Sequence, residues 1–147
     1  MNYDELKNKY DLPSMDEIDF EFEIDKEADY ILREIRRKIN SKINAYMDLI
    51  HGVLQPDASE ILQMHEVGFF TEREKSKLLK LYKRLMKISR HSDELAISFD
   101  EESEAIFIKE VYTQWPEIKE KILTMVRKMK DSWDKELEED NNMLYMG

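Results

Sequence analysis

Apolar residues recur at three- and four-residue steps along most of the chain, a pattern that predicts α-helices. The longest such run covers residues 26–54 and ends where Pro56 removes a backbone donor and crowds the preceding turn. A second run covers residues 72–97. It follows Thr71 and Glu74, which have the spacing of a capping box, so we expect a helix to begin there.

Two further helices are predicted on either side of Pro116. Asp100 is suited to cap the first of them, whose apolar face ends at Trp115. Proline is favoured in a first helical turn, and Glu117 adds an acid where backbone N–H groups are unpaired. We therefore interpret Pro116 as the start of a new helix, whose apolar pattern fades near Asp140.

Two shorter segments also have helical character. The first covers residues 4–10, and the second extends from Asp57 or Ala58 to Glu66. Gly68 then fits the left-handed residue that often follows the last turn of a helix.

The acidic segment near the start of the chain shows a different pattern. Ile18, Phe20, Phe22 and Ile24 alternate with acidic residues, which is the periodicity of a strand. The chain offers no second segment with this pattern to pair with it. We therefore predict that residues 20–24 are extended and press alternate side chains onto the helices.

Together these elements predict an all-α fold, a helical bundle of four main helices plus one or two short helices, with an extended acidic N-terminal segment. Residues 1–140 form one domain in this interpretation, and residues 141–147 form a short C-terminal tail. The composition agrees, because 41% of the 147 residues are hydrophobic while glycine and proline number only three each.

Charge is distributed unevenly along the chain. The net charge is −10, yet residues 31–99 carry 13 basic and 9 acidic side chains. Residues 1–30 carry 11 acids against 3 bases, and residues 131–147 carry 6 acids against 1 base. The overall field therefore repels nucleic acid and anionic membrane, while the middle of the chain is mildly basic.

The chain has no cysteine, which excludes disulfides, thiolate nucleophiles and cysteine-ligated metals. Its first ten residues are charged where a secretion signal needs an apolar run, and no apolar run has the length of a membrane span. We expect a cytoplasmic protein that is not inserted in a membrane.

Candidate metal chemistry is fragmentary. Asp48 and His51 have the spacing of one half of a di-iron site, but the second half is missing. Acids three residues apart occur at Glu101 and Glu104, Glu117 and Glu120, Asp131 and Asp134, and Glu136 and Glu139. Most of these acids lie where a helix begins or is exposed to solvent, which explains them without a metal. We predict no metal, no cofactor and no catalytic residue.

A basic stripe is the most distinctive surface feature that the sequence predicts. It consists of Lys80, Lys83, Arg84, Lys87, Arg90 and His91, all on the side of the helix at 72–97 that faces away from its apolar side chains. A second basic cluster on the helix at 26–54 consists of Arg33, Arg36, Arg37, Lys38 and Lys42. The stripe, with Arg33 and Arg37, is our candidate partner-binding surface; the alternative is that these charges are solvated or pair with the chain's own acids.

The tail offers a second candidate. Acidic residues at 136–140 precede an apolar run in which Leu144 and Tyr145 would contact a partner. The alternative is that this run folds back onto its own chain.

These features favour a non-enzymatic protein-interaction or scaffold bundle, whose partner is an acidic protein surface or a second copy in a homodimer. One alternative is a nucleic-acid-associated accessory protein that uses the basic stripe. The other alternative is a metal-dependent, phosphohydrolase-like enzyme.

Overall fold

The computed structural model describes residues 2–135 of the chain, and this part folds as a bundle of six α-helices without a strand. The helices are α1 (Tyr3–Tyr10), α2 (Met15–Phe22), α3 (Ile31–Leu54), α4 (Ile61–Val67), α5 (Glu72–Ser98) and α6 (Glu101–Ser132). The all-α helical bundle predicted from the sequence is confirmed.

The core forms where α3 packs along α5 and α6. The side of α3 that faces them carries four isoleucines, Ile35, Ile39, Ile43 and Ile50, which solvent does not reach. Burying one such side chain contributes roughly 1.5–3 kcal/mol. This repeating face is what holds the three long helices together.

Pro116 lies inside α6 and does not start a new helix, so the bundle has three long helices and not four. The proline is itself exposed, while Trp115 and Ile118 on either side of it are buried in the core. The continuous apolar face on both sides of the proline offsets the lost backbone hydrogen bond. The prediction of two helices divided at this position is therefore wrong.

The prediction that residues 20–24 are extended is also wrong, because α2 continues to Phe22. Ile18 and Phe22 are four residues apart and share the buried face of this helix, while Phe20 is 81% exposed. Glu23 then adopts a left-handed conformation that ends the helix and returns Ile24 to the core. The alternation that resembled a strand therefore comes from the last turn of α2, which ends at Phe22, and from Ile24, which follows the cap at Glu23.

Two helices begin later than the sequence predicts. Helix α3 begins at Ile31, because the chain before it forms a turn in which Asp25 accepts the backbone N–H of Glu27. Helix α4 begins at Ile61, and Gly68 after it is right-handed, with φ −60°, and not left-handed. Local side-chain hydrogen bonds compete with the first turn of a helix, which explains the late start of α3.

The predicted caps of α5 and α6 are confirmed. Thr71 accepts the backbone N–H of Glu74, whose carboxylate accepts the N–H of Thr71 in return. Asp100 accepts the N–H of Ser103 at the start of α6. Because these bonds satisfy otherwise unpaired donors, they fix where the two helices begin.

Candidate binding groove between α5 and α6

The structure divides the basic stripe of α5. Lys83 and Lys87 are exposed. Arg84 instead reaches across to α6, where its Nε donates to Oε1 of Gln114 over 2.8 Å and its Nη2 donates to Oε2 of Glu117 over 3.1 Å. Part of the stripe therefore joins two helices of the bundle, as the alternative of internal pairing anticipates.

The far end of the stripe is also occupied by local contacts. Arg90 donates to Oδ2 of Asp93 over 2.8 Å on the same helix. The ring of His91 lies edge-on to Phe107, with centroids 5.3 Å apart. These residues stabilise α5 and its contact with α6.

The second basic cluster, on α3, is dispersed. Arg36 is buried inside the bundle, and Lys42 donates to the backbone oxygen of Glu21. Arg37 and Lys38 are exposed. These four residues therefore do not form one continuous basic surface.

Arg33 lies between two aromatic rings, at 4.9 Å from the centroid of Tyr30 and 4.6 Å from that of Phe99. It lines a cavity of about 370 Å³. Lys80 lines a different concavity, and the two have no lining residue in common. Arg33 and the stripe of α5 thus belong to separate features of the surface.

A groove of about 520 Å³ lies between the first turns of α5 and the last turns of α6. We call it the α5–α6 groove. Its apolar residues are Phe70, Leu78, Leu81 and Met125. These four side chains are almost fully buried and form the floor.

Four lysines surround this apolar floor, together with one acid and one hydroxyl. They are Lys77, Lys80, Lys121 and Lys128, with Glu74 and Thr124 beside them. The groove therefore concentrates positive charge in a protein whose net charge is −10. A low-dielectric floor beside charges of one sign strengthens their local potential.

Two of the four lysines bind carboxylates already present. Lys128 contacts both carboxylate oxygens of Glu74 at 2.6 Å, and Lys121 lies 3.2 Å from Glu117. The hydrogen bond from Lys128, followed by the backbone N–H of Thr71, lowers the pKa of Glu74 to about 2. Glu74 therefore stays ionised well below neutral pH.

The other two lysines have no such partner. Within residues 2–135, no carboxylate lies within ion-pair distance of Lys77 or Lys80. An unpaired ammonium beside apolar surface favours a carboxylate ligand, since the stem packs on the apolar part while the amine keeps a polar partner.

Ion pairs bridge α5 and α6 at both ends of the groove. Arg84 and Glu117 each lie one helical turn beyond Lys80 and Lys121, and their ion pair bridges α5 and α6 there. At the opposite end lies Phe70, which precedes α5. Phe70 and the Glu74–Lys128 pair therefore lie at the end of the groove that is nearer the last turn of α6.

Sequence reasoning found only Lys80 of the residues that line this groove. Lys121 and Lys128 follow one another at two helical turns on α6, but their partner surface on α5 is some fifty residues away along the chain. Helical spacing within α6 is the one signal that could have pointed to them. Lys77 and Phe70 precede the stripe and carried no signal of their own.

Two of the acids considered for metal binding form other contacts. Glu104 is buried beside Arg36, and Glu101 accepts the hydroxyl of Tyr10. Across the described range 2–135, no group of three or more His, Asp or Glu side chains is arranged to hold a metal ion. Residues Glu136 and Glu139 lie outside that range, as do Leu144 and Tyr145 of the tail.

Comparison with known proteins yields no relative: no protein family, no curated protein and no solved structure matches this chain. None of the helices between residues 2 and 135 combines the length and the apolar character that crossing a membrane requires.

Proposed function

We propose that this chain is a protein-interaction module that binds an acidic amphipathic segment of a partner protein in the α5–α6 groove. The observation that carries the proposal is the pair of unpaired lysines, Lys77 and Lys80, beside the apolar floor. The lack of cysteine favours a cytoplasmic location for this protein. The partner segment would bind as a helix or as an extended peptide.

The apolar floor supplies affinity. An amphipathic segment inserts apolar side chains into a groove of this kind, and each apolar Å² removed from water contributes about 25 cal/mol. The floor residues Leu78 and Leu81 come from α5, and Met125 comes from α6. An occupant therefore contacts both long helices at once.

The lysines supply orientation and selectivity. Carboxylates on the flanks of the segment would pair with Lys77 and Lys80, while the acidic remainder of the protein repels them. Lys83 and Lys87 continue the positive charge along α5 and would attract the segment as it approaches. Charges arranged in this way mainly raise association rates and reject wrong partners.

A direct test uses a fluorescein-labelled synthetic helix with leucine on one face and glutamate on its flanks, with fluorescence anisotropy as readout. We expect the double substitution Lys77→Glu and Lys80→Glu to weaken binding at least ~10-fold. The matched control, Lys83→Glu with Lys87→Glu, makes the same charge change on the same helix outside the groove. It should weaken binding by about 2- to 3-fold through long-range electrostatics.

Two results would overturn the proposal. One is equal weakening by both double substitutions, which would mean that only overall charge matters. The other is retention of duplex DNA with a steep salt dependence and no binding of the acidic helix, which would favour the nucleic-acid alternative. A peptide with lysine in place of every glutamate serves as the negative control.

A further inference from the structure

The described part of the chain ends close to the Phe70 end of the α5–α6 groove. The ammonium of Lys135 lies 5.4 Å from the ring centroid of Phe69, and the next residue, Phe70, lines the groove. Two residues before Lys135, Nε1 of Trp133 donates to Glu66 over 2.9 Å, which holds the end of α6 against α4. Lys135, the last described residue, therefore lies beside the residue that precedes the Phe70 end of the groove.

Residues 136–147 are long enough to lie in the groove. Twelve residues span up to about 40 Å when extended. The groove wall from Lys128 back to Lys121 is seven residues of helix, about 10 Å. A turn at the Phe70 end of the groove, followed by a return along α5 and α6, fits within this length.

The composition of this segment matches the groove in both charge and apolarity. It carries four acids, Glu136, Glu138, Glu139 and Asp140, and then the apolar run Met143, Leu144, Tyr145 and Met146. The groove offers four lysines and an apolar floor. Because the acids precede the apolar run, docking from the Phe70 end would bring them to Lys77 and Lys128 first and the apolar run to the floor.

We propose that residues 136–147 of this chain occupy the α5–α6 groove when no partner does, and so compete with the partner for it. This inference rests on the proposed function, because it assumes that the groove binds acidic amphipathic segments. Tethering places the segment at an effective concentration of about millimolar, so even weak docking fills the groove. The chain would thus regulate its own binding site.

The first experiment is nuclear magnetic resonance on the full-length chain. We expect nuclear Overhauser contacts between the ring of Tyr145 or the methyls of Leu144 and the methyls of Leu78 and Leu81. Lys77→Glu with Lys80→Glu should abolish these contacts, and Lys83→Glu with Lys87→Glu should leave them in place. Absence of such contacts in the unmodified chain, or contacts with another surface, would overturn the inference.

A sample mixed from isotope-labelled and unlabelled chains separates docking within one chain from exchange between two copies. Contacts confined to single chains support the proposal. Contacts between differently labelled chains would overturn it, because the groove would then be a dimer contact.

The second experiment measures competition with the synthetic acidic helix. Leu144→Asp with Tyr145→Asp should tighten the binding of the probe by roughly 5- to 10-fold, because the groove is no longer filled by its own chain. Unchanged affinity would count against competition while leaving the proposed function intact. If the probe fails to bind even to this variant, while the unmodified chain shows the contacts of Tyr145, the proposed function fails and the docking of residues 136–147 stands.

Discussion

Arg36 and Glu104 form an ion pair inside the bundle, with Nε of Arg36 donating to Oε1 of Glu104 over 3.1 Å. Their side chains are only 5% and 6% exposed. Arg36 also donates from Nη1 to the backbone oxygen and to Oγ of Ser92. One guanidinium from α3 thereby connects α5 and α6, because it is hydrogen-bonded to Ser92 on α5 and to Glu104 on α6.

We expect Glu104→Ala to lower the free energy of unfolding by about 3–5 kcal/mol, because it leaves a buried guanidinium without its carboxylate. Urea denaturation measures this change. The control is Arg90→Ala, which breaks the exposed pair with Asp93 and should cost less than about 1 kcal/mol. Similar losses from the two substitutions would contradict the buried geometry.

The ion pair of Glu74 with Lys128 predicts a pH dependence. The pKa of Glu74 falls from 4.5 to about 2, so the pair stabilises the fold above pH 4.5 and this contribution is lost as pH falls towards 2. Glu74→Gln should lower stability at pH 7 by about 1 kcal/mol or less, since the pair is partly exposed to solvent. The difference between the two proteins should shrink below pH 4.5.

Chemical-shift titration of the Glu74 carboxyl carbon checks the same point directly. Its midpoint should move up towards 4.5 in Lys128→Met, which removes the donor that contributes most to the shift. A midpoint that stays the same in both proteins would show that Lys128 does not hold this carboxylate.

Pro116 predicts a stabilising substitution. Alanine at this exposed position restores the backbone N–H that α6 lacks and removes the clash with the preceding turn. A gain of about 1–2 kcal/mol is expected, after allowing for the greater freedom of the unfolded chain. Thermal unfolding measures it, with Glu120→Ala as a control on the same helix. A loss of stability would mean that the packing of Trp115 depends on the proline.

The conformation of Phe99 predicts a second stabilising substitution. This residue adopts the left-handed conformation, with φ 55°, between α5 and α6, where glycine carries no steric cost. Phe99 is 62% exposed, and its ring contacts the guanidinium of Arg33. We expect Phe99→Gly to stabilise by about 0.5–1 kcal/mol net of the lost cation–π contact. Phe99→Ala keeps the strain, and it should therefore be less stable than Phe99→Gly.

The parts of the fold that the sequence predicted correctly depend on residues close together in the chain. The capping box of Thr71 with Glu74 and the cap at Asp100 are set by neighbours within one turn, so they could be recognised directly. Pro116 could not, because whether a proline ends a helix depends on what the flanking residues bury. Trp115 and Ile118 pack against distant helices, and that packing decides the outcome.

The candidate site depends even more on tertiary structure. Lys80 and Lys121 become neighbours only because α5 and α6 lie side by side, and nothing in either segment alone indicates this. In the same way, Arg36 and Arg37 looked equivalent as members of one basic cluster. The bundle buries one against Glu104 and leaves the other in solvent.

The two tryptophans of the chain stand in contrasting surroundings. Trp115 is enclosed by Phe22 and Tyr46, at centroid distances of 4.8 Å and 5.4 Å, and donates to Glu21. Trp133 is 49% exposed and lies against His65 of α4. The molecule therefore carries two intrinsic optical probes, and each is isolated by replacing the other with phenylalanine. Emission from Trp115 would report the loss of the core, while emission from Trp133 would report separation of α4 from the end of α6, without any attached dye.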